Sequence, residues 1–208
     1  YYDFRTDEEL EVLKEKAIAE GVAHRTLRPE TIVSLAEARE RLAQGEKAAV
    51  RFRVDDVRDY ILQDLVRGEV RFPSDMVGDF VILRSNGMPV YNFCCVIDDA
   101  LMGITHVFRA EEHLSNTLRQ QMIYEAFGYK TPQFGHLSLV LGQDRQKLSK
   151  RHGATSCNEY KKRGYLPEAL LNFLALLGWS PSNDQEIFSI PELIQAFSET
   201  RLNASGAV

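Results

Sequence analysis

The chain has 208 residues, a formal net charge of −5, 44% hydrophobic side chains and 26% charged ones. That balance is ordinary for a globular protein of one large or two small domains. It excludes a generic polyanion binder, and the lack of any run of 18 apolar residues excludes a helical membrane span. The three cysteines, Cys94, Cys95 and Cys157, make no disulfide framework, and the adjacent Cys94 and Cys95 in an apolar run read as buried thiols of a reducing compartment. No Cys/His pair has ligand spacing that a second pair completes. No signal-peptide pattern opens the chain. The start, "YYDFRTDEEL", and the end, "RLNASGAV", are expected to be cuts within something longer.

Residues 6–20 predict a helix. Thr6 and Glu9 make a capping box, Leu10, Leu13 and Ala17 repeat at helical spacing, and Gly21 is a fitting stop. Residues 34–44 predict a second helix, from Ser34 to just before Gly45. From 47 to 93 the period becomes two. In "AVRFRV", Val50, Phe52 and Val54 face one way and Arg51 and Arg53 the other. "YILQDLVRGEVRF" and "DFVILRSNGMPVYNF" follow, with turns at Gly68 and at Asn86-Gly87, a strong hairpin signal. This predicts a mostly antiparallel sheet with helices beside it. Its exposed arginines (Arg51, Arg53, Arg58, Arg67, Arg71, Arg84) either meet phosphates or only solubilise an open face.

Residues 92–102, "NFCCVIDDALM", predict a buried apolar segment that meets Asp98-Asp99. Adjacent carboxylates on a helix diverge too far to share one ion, so a turn or helix end suits them better. "GITHVFRAEEH" alternates as a short strand that delivers Arg109, Glu111, Glu112 and His113 to its carboxyl edge, where open α/β sheets bind ligands. Residues 115–128 predict a helix capped by Ser115 or Asn116 and stopped by Gly128. Residues 134–142 predict the next strand, which completes a parallel βαβ unit. The basic run Lys147-Leu148-Ser149-Lys150-Arg151-His152-Gly153 follows directly. "NEYKKRGYLPEALLNFLALLGW" predicts two helices, the second opened by Pro167 and striped by Leu170, Leu171, Leu174 and Leu177. Residues 190–198 predict a last short one.

Charge is uneven. Between Asp144 and Arg163 seven Lys/Arg face two acids, a local +5 that leaves −10 on the rest. Such a segment is either a solvated helix face or a site for a polyphosphate. A lysine is a compact mobile cation and an arginine forks onto phosphate oxygens. There is no GxxxxGK[ST] run, so no P-loop, and neither a zincin motif nor a Ser-His-Asp order. Lysines on a loop at the edge of a parallel sheet point to nucleotidyl transfer.

"KLSKRHGA" resembles the second signature of the class I aminoacyl-tRNA synthetases, the KMSKS loop, in the form seen in bacterial-type glutamyl-tRNA synthetases. "VYNFCCVIDDALMGITHVFRAEEHLSNTLRQ", "FGHLSLVLGQDRQKLSKRHGA" and "GYLPEALLNFLALLGWSP" are similar to that family as well. The resemblance implies an ATP-dependent activation of L-glutamate to glutamyl-adenylate, assisted by Mg²⁺, and transfer to the 3′ end of tRNA-Glu. It implies a glutamate pocket of Tyr91, Asn92, Phe93, Cys94, Cys95 and Arg109, with Arg109 holding the substrate carboxylate or, alternatively, pairing with Glu111 or Glu112. Some family members carry an asparagine where Cys95 stands. ATP would meet Glu112, His113, the backbone of Leu139, Val140 and Leu141, and the loop residues Lys147, Leu148, Ser149, Lys150 and Arg151. Lys147 and Lys150 would be the catalytic cations, Lys150 foremost. His113 would stack on the adenosine or be merely structural, and Lys161, Lys162 and Arg163 would face tRNA or solvent.

The fold class so implied is α/β. Residues 1–91 form an acceptor-arm-binding α+β insertion, 92–146 the second half of a Rossmann-type nucleotide-binding domain, and 147–208 the loop and a helical stem-contact region. The family's His-x-Gly-His motif has no match in these 208 residues, so the chain alone is expected to be inactive. Some family members bind zinc through cysteines near "YYDFRT"; Asp3 and Arg5 stand there, and no zinc or other metal ligand set is expected. A cytoplasmic monomer with no membrane contact is expected. Two alternatives are a non-catalytic tRNA acceptor-stem-binding module and a related synthetase for glutamine or another acceptor.

Overall fold

In the computed structural model the described residues are 1–19, 28–55, 58–73, 77–142, 144, 146–147 and 156–204. They fall into two compact units, one of residues 1–61, 71–104 and 116–131, the other of 62–70, 105–115 and 132–208.

The first unit holds a three-stranded antiparallel sheet in the order β1 (Tyr2–Asp3), β2 (Ala49–Phe52), β5 (Phe80–Leu83). Sequence periodicity misses β1, because two residues carry no period. Its pairing is fixed by Asp3, whose buried carboxylate accepts from Arg5 Nε and Nη2 at 2.8 and 2.7 Å and from Arg51 Nε at 2.6 Å. Burial alone would push that carboxyl up, but the arginines hold it below the ordinary range. Arg51 is therefore no open-face residue: its side chain is only 13% exposed. The register of β2 on β5 shifts between Val50 and Arg51, and Arg51 reaches Asp3 rather than an open face.

Helix α1 (Asp7–Ala19) opens on the capping box. Thr6 N donates to Glu9 Oε2 at 2.7 Å and Glu9 N to Thr6 Oγ1 at 3.2 Å. Ser34 caps α2 (Leu35–Ala43) through its side chain, Oγ accepting from Glu37 N at 3.2 Å; the expected stop at Gly21 lies outside the described residues. After β5 the Asn86-Gly87 turn forms, with Gly87 at φ 80°, but the returning arm is a single bridge from Leu83 to Pro89. Proline has no N–H to extend a ladder, and α3 (Tyr91–Met102) begins at once. This corrects the buried segment expected over 92–102. Of α3 only Val96 is buried, and Leu101 and Met102 are about three-quarters exposed at 75% and 73%. Asp98 and Asp99 lie in its last turns, ahead of Gly103 in the left-handed conformation.

The second unit is built on a parallel pair, β6 (His106–Ala110) and β7 (Gln133–Leu137), in register from His106↔Gln133 to Ala110↔Leu137. The connection runs through α4 (Leu114–Phe127), so the predicted strand, helix and parallel strand are present. A hairpin, β3 (Tyr60–Asp64) and β4 (Gly68–Phe72), brings its turn to this unit. Helices α5 (Cys157–Lys162), α6 (Pro167–Leu176) and α7 (Ile190–Ala196) close the chain. Trp179 and Phe188 are their buried centre, packed edge to face at 6.0 Å. The leucine stripe expected on α6 is not a buried seam here: Leu171 and Leu174 are exposed. Cys94 and Cys95, expected to be buried, are half-buried, Cys157 is exposed, and none of the three is in a disulfide. The chain is thus α/β, with parallel and antiparallel sheets.

Candidate active site

The parallel pair ends in a polar edge. Phe134, Gly135 and His136 of β7 are buried. Gly135 sits opposite Phe108, and a Cβ there would stand 2.5 Å from the Phe108 ring, so only glycine lets the strands pack this closely. β6 runs straight into a 3₁₀ turn, Glu111–His113, and that turn into α4. Helical structure therefore begins before Ser115 and Asn116, which explains why neither is the expected cap. Asn116 Oδ1 instead accepts from Asn92 Nδ2 at 3.3 Å.

Beneath the edge lies a buried polar relay that sequence reasoning missed. Asp64 Oδ1 accepts from Val66 N at 2.9 Å and Arg67 N at 3.0 Å, fixing the β3–β4 turn. The same carboxylate accepts from His136 N at 3.1 and 3.2 Å and from His136 Nδ1 at 2.5 Å. Both side chains are fully buried, at 0% exposure. A carboxylate accepts, so Nδ1 carries the proton; Nε2 then keeps its lone pair and accepts from Arg109 Nε at 3.3 Å. One neutral tautomer satisfies both bonds. Burial lowers the imidazole's pKa, and Arg109 and Arg67 add to that against the opposing pull of Asp64. Burial pushes the Asp64 carboxyl up, but the His136 and turn hydrogen bonds hold it below the ordinary range. The Arg109 guanidinium also lies over the buried Phe134 ring, 5.2 Å from its centroid.

Arg67 leaves the same turn and ties the two strand ends together. It donates through Nε to His136 O at 3.1 Å and through Nη2 to Ser138 Oγ at 3.0 Å, and it pairs with Glu111. Glu111 Oε1 accepts from Leu139 N at 3.4 Å. Arg67, read from sequence as a sheet-face arginine, is thus a bracket across the edge. The only signals for this cluster were a histidine inside an apolar strand, "FGHLSL", and an Asp ahead of a tight turn.

At the exposed rim Lys147 Nζ donates to Glu112 Oε1 and Oε2 at 2.7 and 2.8 Å, and this bond holds the Glu112 carboxyl low. His113 Nε2 is 3.9 Å from Glu112 Oε1. The strand expected over 134–142 ends at Leu137. Leu141 then bridges Lys147, with Gly142 N donating to Gln146 O at 2.8 Å, so a tight turn separates the strand from the basic run. Leu148, Ser149, Lys150 and Arg151 lie outside the described residues.

One unit therefore brings together Arg109, Glu112, His113, Leu139, Val140, Leu141 and Lys147. Tyr91, Asn92, Phe93, Cys94 and Cys95 belong to the other, in the first turns of α3. There Tyr91 is half exposed, Asn92 Oδ1 also accepts from Gln120 Nε2 at 3.2 Å, and Phe93 packs on Phe127 at 6.0 Å. Among the described residues no group of three or more His, Cys, Asp or Glu side chains is placed to hold a metal.

A parallel strand pair whose carboxyl edge carries an arginine, two acids and a lysine suits a nucleotide and a carboxylate substrate. The family model for the catalytic domain of class I tRNA synthetases (E and Q) matches residues 1–208. The chain belongs to this family. It is 59% identical over 209 residues to the glutamate–tRNA ligase of Bdellovibrio bacteriovorus, with 100% of this chain and 42% of that protein covered. It is 53% identical over 208 residues to the glutamate–tRNA ligase of Carboxydothermus hydrogenoformans, covering 100% and 43%. Among solved structures it is similar to the glutamate-tRNA synthetase of Elizabethkingia anophelis, with a TM-score of 0.85, 34% identity and coverage of 100% and 47%. The glutamate tRNA ligase of Elizabethkingia meningosepticum in complex with its amino acid has the same TM-score and identity, with coverage of 100% and 46%. The chain thus spans less than half the length of these class I synthetase relatives.

Proposed function

We propose that the complete gene product is a glutamyl-tRNA synthetase, and that this chain supplies its glutamate pocket and the second half of its ATP site. The observation that carries this reading is the shared edge of β6 and β7. It offers Arg109 on a buried support beside the Glu112–Lys147 pair, in a chain of the class I family. In the layout we propose, residues 1–91 are the acceptor-arm insertion, 92–146 the second Rossmann half, and 147–208 the loop and stem-contact helices.

Arg109 holds the carboxylate of L-glutamate by a bidentate pair, with Tyr91, Asn92, Phe93, Cys94 and Cys95 as the pocket wall. Glu112 and His113 meet the adenosine, and the backbone of Leu139, Val140 and Leu141 meets the adenine edge. Lys147, Lys150 and Arg151, with Leu148 and Ser149 between them, lie along the phosphates. A polyphosphate competes with Glu112 for Lys147, so ATP binding exchanges one ion pair for another. The α-carboxylate oxygen of glutamate, not the carboxylate on Arg109, attacks the α-phosphorus, the bond from that phosphorus to the oxygen bridging the β-phosphate breaks, and pyrophosphate leaves with that electron pair. Lys150 and Lys147 stabilise the charge that develops. Mg²⁺ enters with ATP as part of the substrate. The 3′-terminal adenosine of tRNA-Glu then takes the glutamyl group and releases AMP. The protein works as a cytoplasmic monomer, and no helix among the described residues is long and apolar enough to cross a membrane.

The test is charging of tRNA-Glu by the complete gene product. Glutamate- and ATP-dependent charging is expected. Binding of tRNA with no charging would replace this reading with a non-catalytic stem-binding module, and charging with glutamine alone would replace it with a related synthetase.

A further inference from the structure

We infer that Asp64 and His136 are positioning residues for Arg109, fixing through one imidazole tautomer how its guanidinium stands at the carboxyl edge of β6. The inference rests on the reading of Arg109 as the group that holds the substrate carboxylate.

Both side chains are fully buried, and His136, held by Asp64 at the β3–β4 turn, meets the side chain of Arg109 on the neighbouring strand β6. The chain of bonds has a direction. Val66 N and Arg67 N fix the Asp64 carboxylate, the carboxylate takes the Nδ1 proton, and Nε2 is left as an acceptor. Arginine has only donors, so an acceptor at that point is what holds Nε. A ring with its proton on Nε2 would place N–H against N–H and push the guanidinium away. Phe134, on the same strand as His136, supports the guanidinium from its ring face and restricts it to a plane. A guanidinium that keeps one orientation before its ligand arrives loses less freedom on binding a carboxylate.

Two substitutions divide the imidazole's two tasks. His136→Asn keeps a donor near the Nδ1 position and has no acceptor for Arg109. His136→Gln places a carbonyl oxygen near the Nε2 position and gives up the donation to Asp64. Asp64→Asn offers an amide N–H to Nδ1 and so favours the tautomer with its proton on Nε2, the wrong one for Arg109.

The experiment is tRNA-dependent ATP–pyrophosphate exchange by the complete gene product, with KM measured separately for glutamate and for ATP. Asp64→Asn and His136→Asn should each raise the glutamate KM about tenfold, the usual scale for losing a partner that orients a ligand-binding group. The ATP KM should stay within about twofold of the parent, and His136→Gln should recover part of the loss. Equal effects of His136→Asn and His136→Gln, or parallel rises in both KM values, would overturn the positioning role. Arg109→Ala, run alongside, separates the two layers: if it leaves the glutamate KM unchanged, the reading of Arg109 itself fails. If it raises that KM while Asp64→Asn does not, only the positioning role fails. Imidazole ¹⁵N shifts of the parent protein need no variant to fold. A protonated Nδ1 and an unprotonated Nε2 are expected, and the reverse would overturn the inference.

Discussion

Removing the Arg67 bracket should loosen the site edge by an amount the structure allows one to work out. Arg67→Ala deletes the pair with Glu111 and the donations to His136 O and Ser138 Oγ. A hydrogen bond to a charged partner contributes about 1.5–3 kcal/mol when buried. Here the two side chains are 22% and 33% exposed, so solvent screening reduces the ion pair to roughly 1 kcal/mol. The buried His136 carbonyl loses a donor at a cost of about 1 kcal/mol more. The sum, about 2 kcal/mol, is roughly a thirtyfold rise in local opening. Native-state hydrogen exchange of the peptide 133–141 in the complete protein reads this directly, since it contains the Leu139 amide that Glu111 accepts from. A double-mutant cycle with Glu111→Gln should return a coupling of about 1 kcal/mol. Exchange accelerated by less than about threefold, with additive effects in the cycle, would refute the reasoning.

Two further outcomes follow from the same groups. His136 is held neutral in the folded protein, its pKa below the ordinary value of 6.5 chiefly through burial. The unfolded chain therefore binds more protons below that value, and stability falls as pH drops from about 6.5. A second fall comes below about pH 4, where Asp64 and Asp3 must take up protons that their partners resist. Chemical denaturation of the protein across pH 4–8 should show the upper step in the parent and not in His136→Gln. Lys150→Ala in the complete enzyme should slow pyrophosphate exchange by about 10²–10³-fold, the usual loss for one preorganised donor; an unchanged rate removes Lys150 from the mechanism.

What the sequence made legible was local. The Thr6–Glu9 box, Ser34 and Pro167 act over three or four residues, and the helices they open begin within one residue of expectation. The alternation in "GITHVFRAEEH" carried Arg109 and its acids to a strand end, and the parallel partner appeared in the expected place. What stayed hidden depends on distance along the chain. Asp64 and His136 are 72 positions apart, and Arg51 reaches an Asp 48 positions away. Nothing in the spacing of either pair records that they meet. Arg51 and Arg67 illustrate the consequence. Periodicity assigned both to an open face, and tertiary ion pairs drew both inward. Apolarity misled in the other direction along α3, where "NFCCVIDDALM" has the composition of a core segment and keeps Leu101 and Met102 exposed. The basic run was expected to follow the strand directly, yet the strand ends at Leu137 and a turn precedes Lys147, whose exposed side chain is paired with Glu112. Only the fold could place those two side chains on one rim.

The most direct measurement is a crystal structure of the complete protein with a non-hydrolysable glutamyl-adenylate analogue and pyrophosphate. The account predicts the glutamyl carboxylate forked onto Arg109 at about 2.7–2.9 Å, the range of charge-assisted N–H···O bonds. It also predicts Lys147 turned from Glu112 to the pyrophosphate. A carboxylate bound away from Arg109, with the Glu112–Lys147 pair still closed, would contradict it.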